Sequence, residues 1–256
     1  MHHLYILTGA SRGMGLAMAR QLLASDHTLL CLSRQISAEL DAEAQQRGAR
    51  LIQWSQDLAD STGARERVTR WLTDLNAGDF ASATLINNAG VLPDIVPLPD
   101  VPETQLTNAL RVGLEAPMHL TAAFLAATRA WVQAGWQGPR KVINISSGLG
   151  RNAMASQAAY CAAKAGMDHF TRCCALEEAQ QANGARLVSL APGVIDTDMQ
   201  IHLRGSDAGS FPDRQRFVDL REKGMLSSPD EAAARVLGWL DRPDFGANPV
   251  ADVRDA

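Results

Sequence analysis

The sequence is poor in the features that mark metal-binding, secreted or membrane proteins. It has four cysteines, Cys31, Cys161, Cys173 and Cys174; the last two are adjacent and none falls in a C-x-x-C pair. That pattern excludes a disulfide framework and a thiolate zinc site, so no metal is expected and a reducing compartment is. His2-His3 is too short for a metal-binding tract. No apolar run approaches the ~18 residues a membrane span requires. A strand-like segment begins almost at the N-terminus, so a removable leader is not expected. The expected location is the cytoplasm, with no membrane partner. Basic clusters are missing too. With 24 Lys and Arg scattered among 28 Asp and Glu, the formal net charge of −4 excludes general attraction to nucleic acid or an acidic surface.

What is present is an alternation of strands and helices. The 256 residues, 46% hydrophobic and 20% charged, suit one globular domain. Strand-like runs occur at Leu4–Leu7, Thr28–Leu32, Leu51–Trp54, Thr84–Ile86, Lys141–Ile145 and Arg186–Leu190. Helical stretches separate them, including Leu16–Leu23, Thr62–Leu75 and a long one from about Glu103 to Ala134. Strands that are apolar throughout, interleaved with helices, imply a parallel sheet covered on both faces. The expected fold class is therefore α/β: a single-domain, doubly wound, Rossmann-like sheet over residues 1–256. Residues 197–228 break the rhythm, with Gly205, Gly209, Pro212 and Gly224 among Met199, Ile201, Leu203 and Phe211. The segment follows the sixth strand and emerges at the carboxyl edge, where such folds bind ligands. Its apolar residues need a partner surface, so a substrate lid is expected there.

The first strand ends in Thr8-Gly9-Ala10-Ser11-Arg12-Gly13-Met14-Gly15. Small residues at a strand-to-helix turn let the backbone approach a pyrophosphate, and the helix N-terminus supplies free N–H groups. The second strand ends in Ser33-Arg34, without the carboxylate that would hydrogen-bond a ribose 2′-hydroxyl. Arg34 and Arg12 converging on one pocket favour NADP(H) over NAD. Asp57-Leu58 follows the third strand and either borders the adenine or caps a helix. Asn87-Asn88-Ala89-Gly90 ends the fourth: Asn87 is suited to tying strands together, and Asn88 to Gly90 to contacting the cofactor. Pro192-Gly193-Val194-Ile195 and Thr197 follow the sixth strand, where free N–H groups can meet a nicotinamide carboxamide.

Ser147 ends the fifth strand, and Tyr160 and Lys164 stand four apart on the next helix, sharing one face. A free phenol has a pKa of ~10. An ammonium ~4–5 Å away contributes roughly 3–4 kcal/mol at an effective dielectric of ~20. That amounts to about two to three pKa units in favour of phenolate. In this reading Tyr160 exchanges a proton with a carbonyl oxygen, Ser147 holds that oxygen, and Lys164 binds the ribose and helps return the proton.

On these motifs, in this order, the chain resembles the short-chain dehydrogenase/reductase family from Leu4 to the helix near Pro229–Leu240. The resemblance implies a carbonyl reductase or alcohol dehydrogenase with Ser147, Tyr160 and Lys164 as the catalytic set and the segments above around NADP(H). It also implies a homodimer or homotetramer packed through the long fourth and fifth helices. Tyr160–Lys164, Ala175–Glu178 and Ala191–Gln200 are similar to the branch holding sepiapterin reductase and benzil-type diketone reductases. In sepiapterin reductase an aspartate near the C-terminus holds the pterin, and Asp252 is similarly placed. Leu149, Met154 and Met199 are the other candidate substrate contacts. One position departs from the family. Val112-Gly113-Leu114 stands where most members have a Val-Asn-Leu-like triplet whose asparagine holds a water beside the lysine. Glycine there allows a helix distortion in which backbone carbonyls and water replace the amide. Asn108, five residues earlier, is expected on a different helix face. The leading expectation is an NADPH-dependent reductase of a small ketone or diketone; an NADP-binding sensor and an NAD-linked alcohol dehydrogenase are the alternatives.

Overall fold

The computed structural model describes residues 1–255. Strands β1 (His2–Thr8), β2 (His27–Ser33), β3 (Arg50–Ser55), β4 (Phe80–Asn87), β5 (Arg140–Ile145), β6 (Arg186–Ala191) and β7 (Val250–Asp252) form one sheet. Their order is β3-β2-β1-β4-β5-β6-β7, and every pairing is parallel. Helices α1 (Gly13–Gln21), α2 (Ala38–Arg47), α3 (Ser61–Asp74), α4 (Glu103–Leu110), α5 (Ala116–Gln133) and α6 (Ala158–Glu178) connect the first six strands. Helices α7 (Asp198–Gly205), α8 (Arg214–Glu222) and α9 (Pro229–Leu240) fill the crossover to β7. The expected doubly wound α/β sheet is what forms.

Alternation along each strand sends side chains to two cores. On β1, Leu4 and Ile6 face the layer of α3 and α5, packing with Val68, Leu72, Leu120 and Phe124. Leu7 faces the other layer, with Met18 of α1 and Val236 of α9. Because β1 is central and fully covered, its apolar positions are closed to water on both faces. The chain runs outward from β1 to β3, then returns to start β4 on β1's other side. That reversal opens a crevice at the carboxyl ends of β1 and β4, where parallel sheets bind ligands.

Three local features depart from the expectations. The long helix over 103–134 is two helices joined by a π-helical turn at Arg111–Glu115, centred on Gly113. Pro117, in the first turn of α5, has no N–H to give the Gly113 carbonyl four residues back. Gly113 is buried, and a Cβ placed on it would come 3.1 Å from the Ala163 Cβ of α6. The distortion and the close approach of α6 thus share one glycine. Residues 197–228 are not an irregular loop either. They form α7 and α8, which share a small core of Leu203, Phe211 and Phe217 with Ile95. Finally, the three-residue β7 carries Asp252 onto the edge of the sheet, a strand too short for its periodicity to show.

Buried polar groups lock the helices to the sheet. Asn87 donates to Thr121 Oγ1 (3.1 Å) and Asn144 Oδ1 (2.8 Å), and Asn144 donates to Thr171 Oγ1 (2.9 Å). One chain of bonds therefore joins β4, β5, α5 and α6, the structural role expected of Asn87. At the opposite end of α6, the fully buried Arg140 pairs with Glu178 at 3.0 Å.

Candidate active site

The crevice is a cavity of about 970 Å³. Its floor is the glycine loop. Gly9 and Gly13 have φ of +71° and +53°, left-handed values that favour glycine. A Cβ on Gly15 would run into the Gly9 carbonyl oxygen. Asn88 holds the loop from behind, its amide donating to the carbonyls of Thr8 (2.9 Å) and Gly9 (3.2 Å). The Asn88 side chain is therefore a brace for the loop, and what it presents to the cavity is limited by that duty. No side chain caps the N-terminus of α1. Its free N–H groups are left to an anion, so the residues present fit a dinucleotide pyrophosphate.

All the sequence-assigned cofactor and substrate residues line this one cavity, from Ser11 and Met14 through Leu58, Ala89 and Gly90 to Val194, Ile195 and Thr197. Arg34 lies at the tip of β2, exposed, with Ser33 buried behind it and accepting from Ala10 N (2.8 Å). Arg12 reaches Asp198 at the start of α7 (2.8 Å), but both side chains are more than two-thirds exposed, so the pair is weak and readily exchanged. Asp57 accepts from Ala59 N (2.9 Å) in a local turn, whereas the cap of α3 is Asp60.

The other wall carries Ser147, Tyr160 and Lys164. Ser147 lies two residues beyond β5, starts the short turn Gly148–Gly150 and accepts from Leu149 N (3.1 Å). Tyr160 is in the first turn of α6, and Lys164, one turn on, is buried and donates to the Ile145 carbonyl (2.7 Å). Its Nζ lies 5.6 Å from the Tyr160 ring centre. Here the expected electrostatics are overturned. Desolvation pushes the phenol up to about 12, against the hydrogen bond from Ser147 that pulls it down. Burial likewise pulls the lysine down to about 8, partly offset by the Asp168 carboxylate. The ammonium is drawn to a backbone carbonyl and is itself short of solvation, so it does not offset the burial of the phenol. The protein's own groups keep Tyr160 protonated.

Two more positions acquire surroundings that the sequence does not show. Asp252 lines the cavity, but its carboxylate is held by the Arg254 guanidinium through contacts of 2.7 and 2.6 Å, which hold its pKa low. A ligand seeking that carboxylate would have to displace an intramolecular fork. Asn108 does reach the cavity wall, beside Val112 one turn on, whereas Gly113 is packed away against α6. Sequence reasoning missed Gln157, Gln200, Arg216, Phe217 and Arg254, which also line the cavity. Gln157 stands only three residues before Tyr160, a spacing that could have singled it out.

Parallel strands, a glycine loop at the reversal of strand order and a Ser-Tyr-Lys wall facing it define an α/β nucleotide-binding oxidoreductase. The short chain dehydrogenase family profile matches residues 3–207. A benzil reductase, (S)-benzoin forming, from Bacillus cereus is 35% identical over 240 residues, covering 94% of each chain. Bovine sepiapterin reductase is 33% identical over 98% of this chain and 94% of its own. Among solved structures, a short-chain dehydrogenase/reductase from Burkholderia vietnamiensis is 31% identical over 99% of this chain and 98% of that one, with a TM-score of 0.63. The chain belongs to the short-chain dehydrogenase/reductase family, oxidoreductases that use nicotinamide cofactors. Among the described residues no helix is long and apolar enough to cross a membrane, and no cluster of His, Cys, Asp and Glu is placed to hold a metal.

Proposed function

We propose that the protein is an NADPH-dependent carbonyl reductase acting on small ketones and diketones. The observation that carries this is the position of Ser147, Tyr160 and Lys164 on one wall of a cavity whose floor is the open N-terminus of α1. The likeness to a benzil reductase supports the diketone. Reduced nicotinamide, when bound, supplies the hydride. Tyr160 gives its proton to the carbonyl oxygen; burial keeps the phenol protonated near neutrality, the form a general acid needs. Ser147 donates to the same oxygen and fixes its position. Lys164 meets the ribose hydroxyls and returns a proton to Tyr160. Arg34, and Arg12 on release from Asp198, receive the 2′-phosphate. Helices α7 and α8 act as the lid, with Met199, Leu203 and Phe217 against an apolar substrate. Exposed Met118 on α5 and Leu176 on α6 are consistent with a homodimer or homotetramer packed through these helices.

Loss of NADPH absorbance with 1-phenyl-1,2-propanedione tests the proposal. Tyr160→Phe should lower kcat by roughly 10²–10⁴-fold. Equal slow rates for the variant and the parent would instead make the protein a cofactor-binding sensor.

A further inference from the structure

Gln157 is an N-cap residue that caps nothing. It stands immediately before α6, is 3% exposed, and makes no side-chain hydrogen bond to the helix it starts. Neither its amide nitrogen nor its amide oxygen has a partner anywhere among the described residues. Buried amides are nearly always paired, and one left unpaired is costly, so each calls for a reason. The residue lines the main cavity and, on its other side, a small apolar annex with Pro93, Val96 and Leu98. A second glutamine is in a similar state: Gln200 of α7, 7% exposed, lines the same cavity and its amide oxygen has no partner. The same cavity is lined by the apolar Met154, Met199, Leu203 and Phe217.

We infer that Gln157 is a specificity-determining residue that binds the second oxygen of a vicinal dicarbonyl. This deepens the proposed function and rests on it. The first carbonyl oxygen is held by Ser147 and Tyr160. Gln157 precedes Tyr160 by three residues, close to one helical turn, so an oxygen on the adjacent carbon falls toward its amide. The amide atoms are closed to water as they stand. A rotation about the terminal torsions of the side chain turns the NH₂ group into the main cavity, where it donates to that second oxygen. A monoketone leaves the amide unpaired. The apolar walls take the flanking groups, and the Arg254 fork keeps the Asp252 carboxylate from selecting a cationic or hydrogen-donating head.

The test measures dissociation constants in the complex with NADP⁺, where no reduction occurs and the greater reactivity of diketones does not intervene. The probes are 1-phenyl-1,2-propanedione and phenylacetone, which has one carbonyl fewer. The parent protein should bind the diketone about tenfold more tightly or better, and Gln157→Met should abolish that difference. Equal binding of the two probes to the parent overturns the inference without any variant, so a Gln157→Met protein that fails to fold does not leave it undecided. A preference that survives in a folded Gln157→Met also overturns it. Failure of the parent to oxidise NADPH with either ketone counts against the proposed activity instead, a separate readout from this binding difference.

Discussion

Lys164 and Tyr160 lie one turn apart, yet the interior moves their proton affinities in opposite directions. Below about 8 the lysine is an ammonium and above it neutral, while the phenol keeps its proton up to about 12. If Lys164 must be charged to hold the ribose, kcat/KM for NADPH is level near neutrality and falls about tenfold per pH unit above the lysine's value. The alkaline limb then reports Lys164 and not Tyr160; a limb that appears only near the phenol's value would reverse the assignment. Arg34 is the other residue whose charge decides something. It is exposed, its backbone carbonyl accepts from Ser55 Oγ (3.1 Å), and its guanidinium makes no hydrogen bond or ion pair among the described residues. Arg34→Asp should therefore weaken NADPH binding strongly, on the order of tenfold or more for one lost charge-assisted contact, and NADH binding little. An unchanged NADPH dissociation constant would reject the NADP assignment.

Elements carry constraints that no single side chain shows. At the π-helical turn between α4 and α5, Pro117 withholds a donor and α6 comes close, so a Cβ at position 113 would press on Ala163. Gly113→Asn should cost about 1–3 kcal/mol by overpacking against Ala163. Pairing it with Ala163→Gly should recover part of that, read from urea unfolding. The glycine loop is constrained in the same way, since Gly15 touches the Gly9 carbonyl and Asn88 presses from behind. Both constraints are contacts between segments far apart in the chain. The sequence shows a glycine at each place; which neighbour forbids a larger residue is visible only once α6 and β4 are in position.

Across the whole molecule, the site is held between its two ends by α6, anchored at one end by Tyr160 and Lys164 and at the other by Glu178. Arg140 of β5 meets that glutamate and also donates to Thr128 Oγ1 (2.9 Å) and the Leu125 carbonyl (3.0 Å). Arg140→Met should destabilise the fold by about 1–3 kcal/mol, because the buried Glu178 loses one of its two guanidinium partners and keeps only the partly exposed Arg129 (2.6 Å). The double variant Arg140→Met/Glu178→Leu should recover much of the loss in urea unfolding. If the single change is neutral, the pair does not anchor α6.

The strands and most helices were legible because an apolar run ending in glycine needs little context. The Tyr160–Lys164 pair and the glycine loop were legible because their spacing is local: four residues along a helix, seven along a turn. Helices α7 and α8 were hidden by the glycines around them and by a core they share with Ile95, far back in the chain. Asp252 was visible, but its capture by Arg254 was not, since only the chain's turn after β7 folds one onto the other. Sequence alone therefore determined which residues face one crevice, through periodicity and the order of strands. Tertiary structure decided their chemical state. Desolvation, the partner each polar group finds and the room left beside each glycine depend on surfaces brought together from distant segments, and those surfaces raise the phenol, lower the amine and leave the amide of Gln157 without a partner.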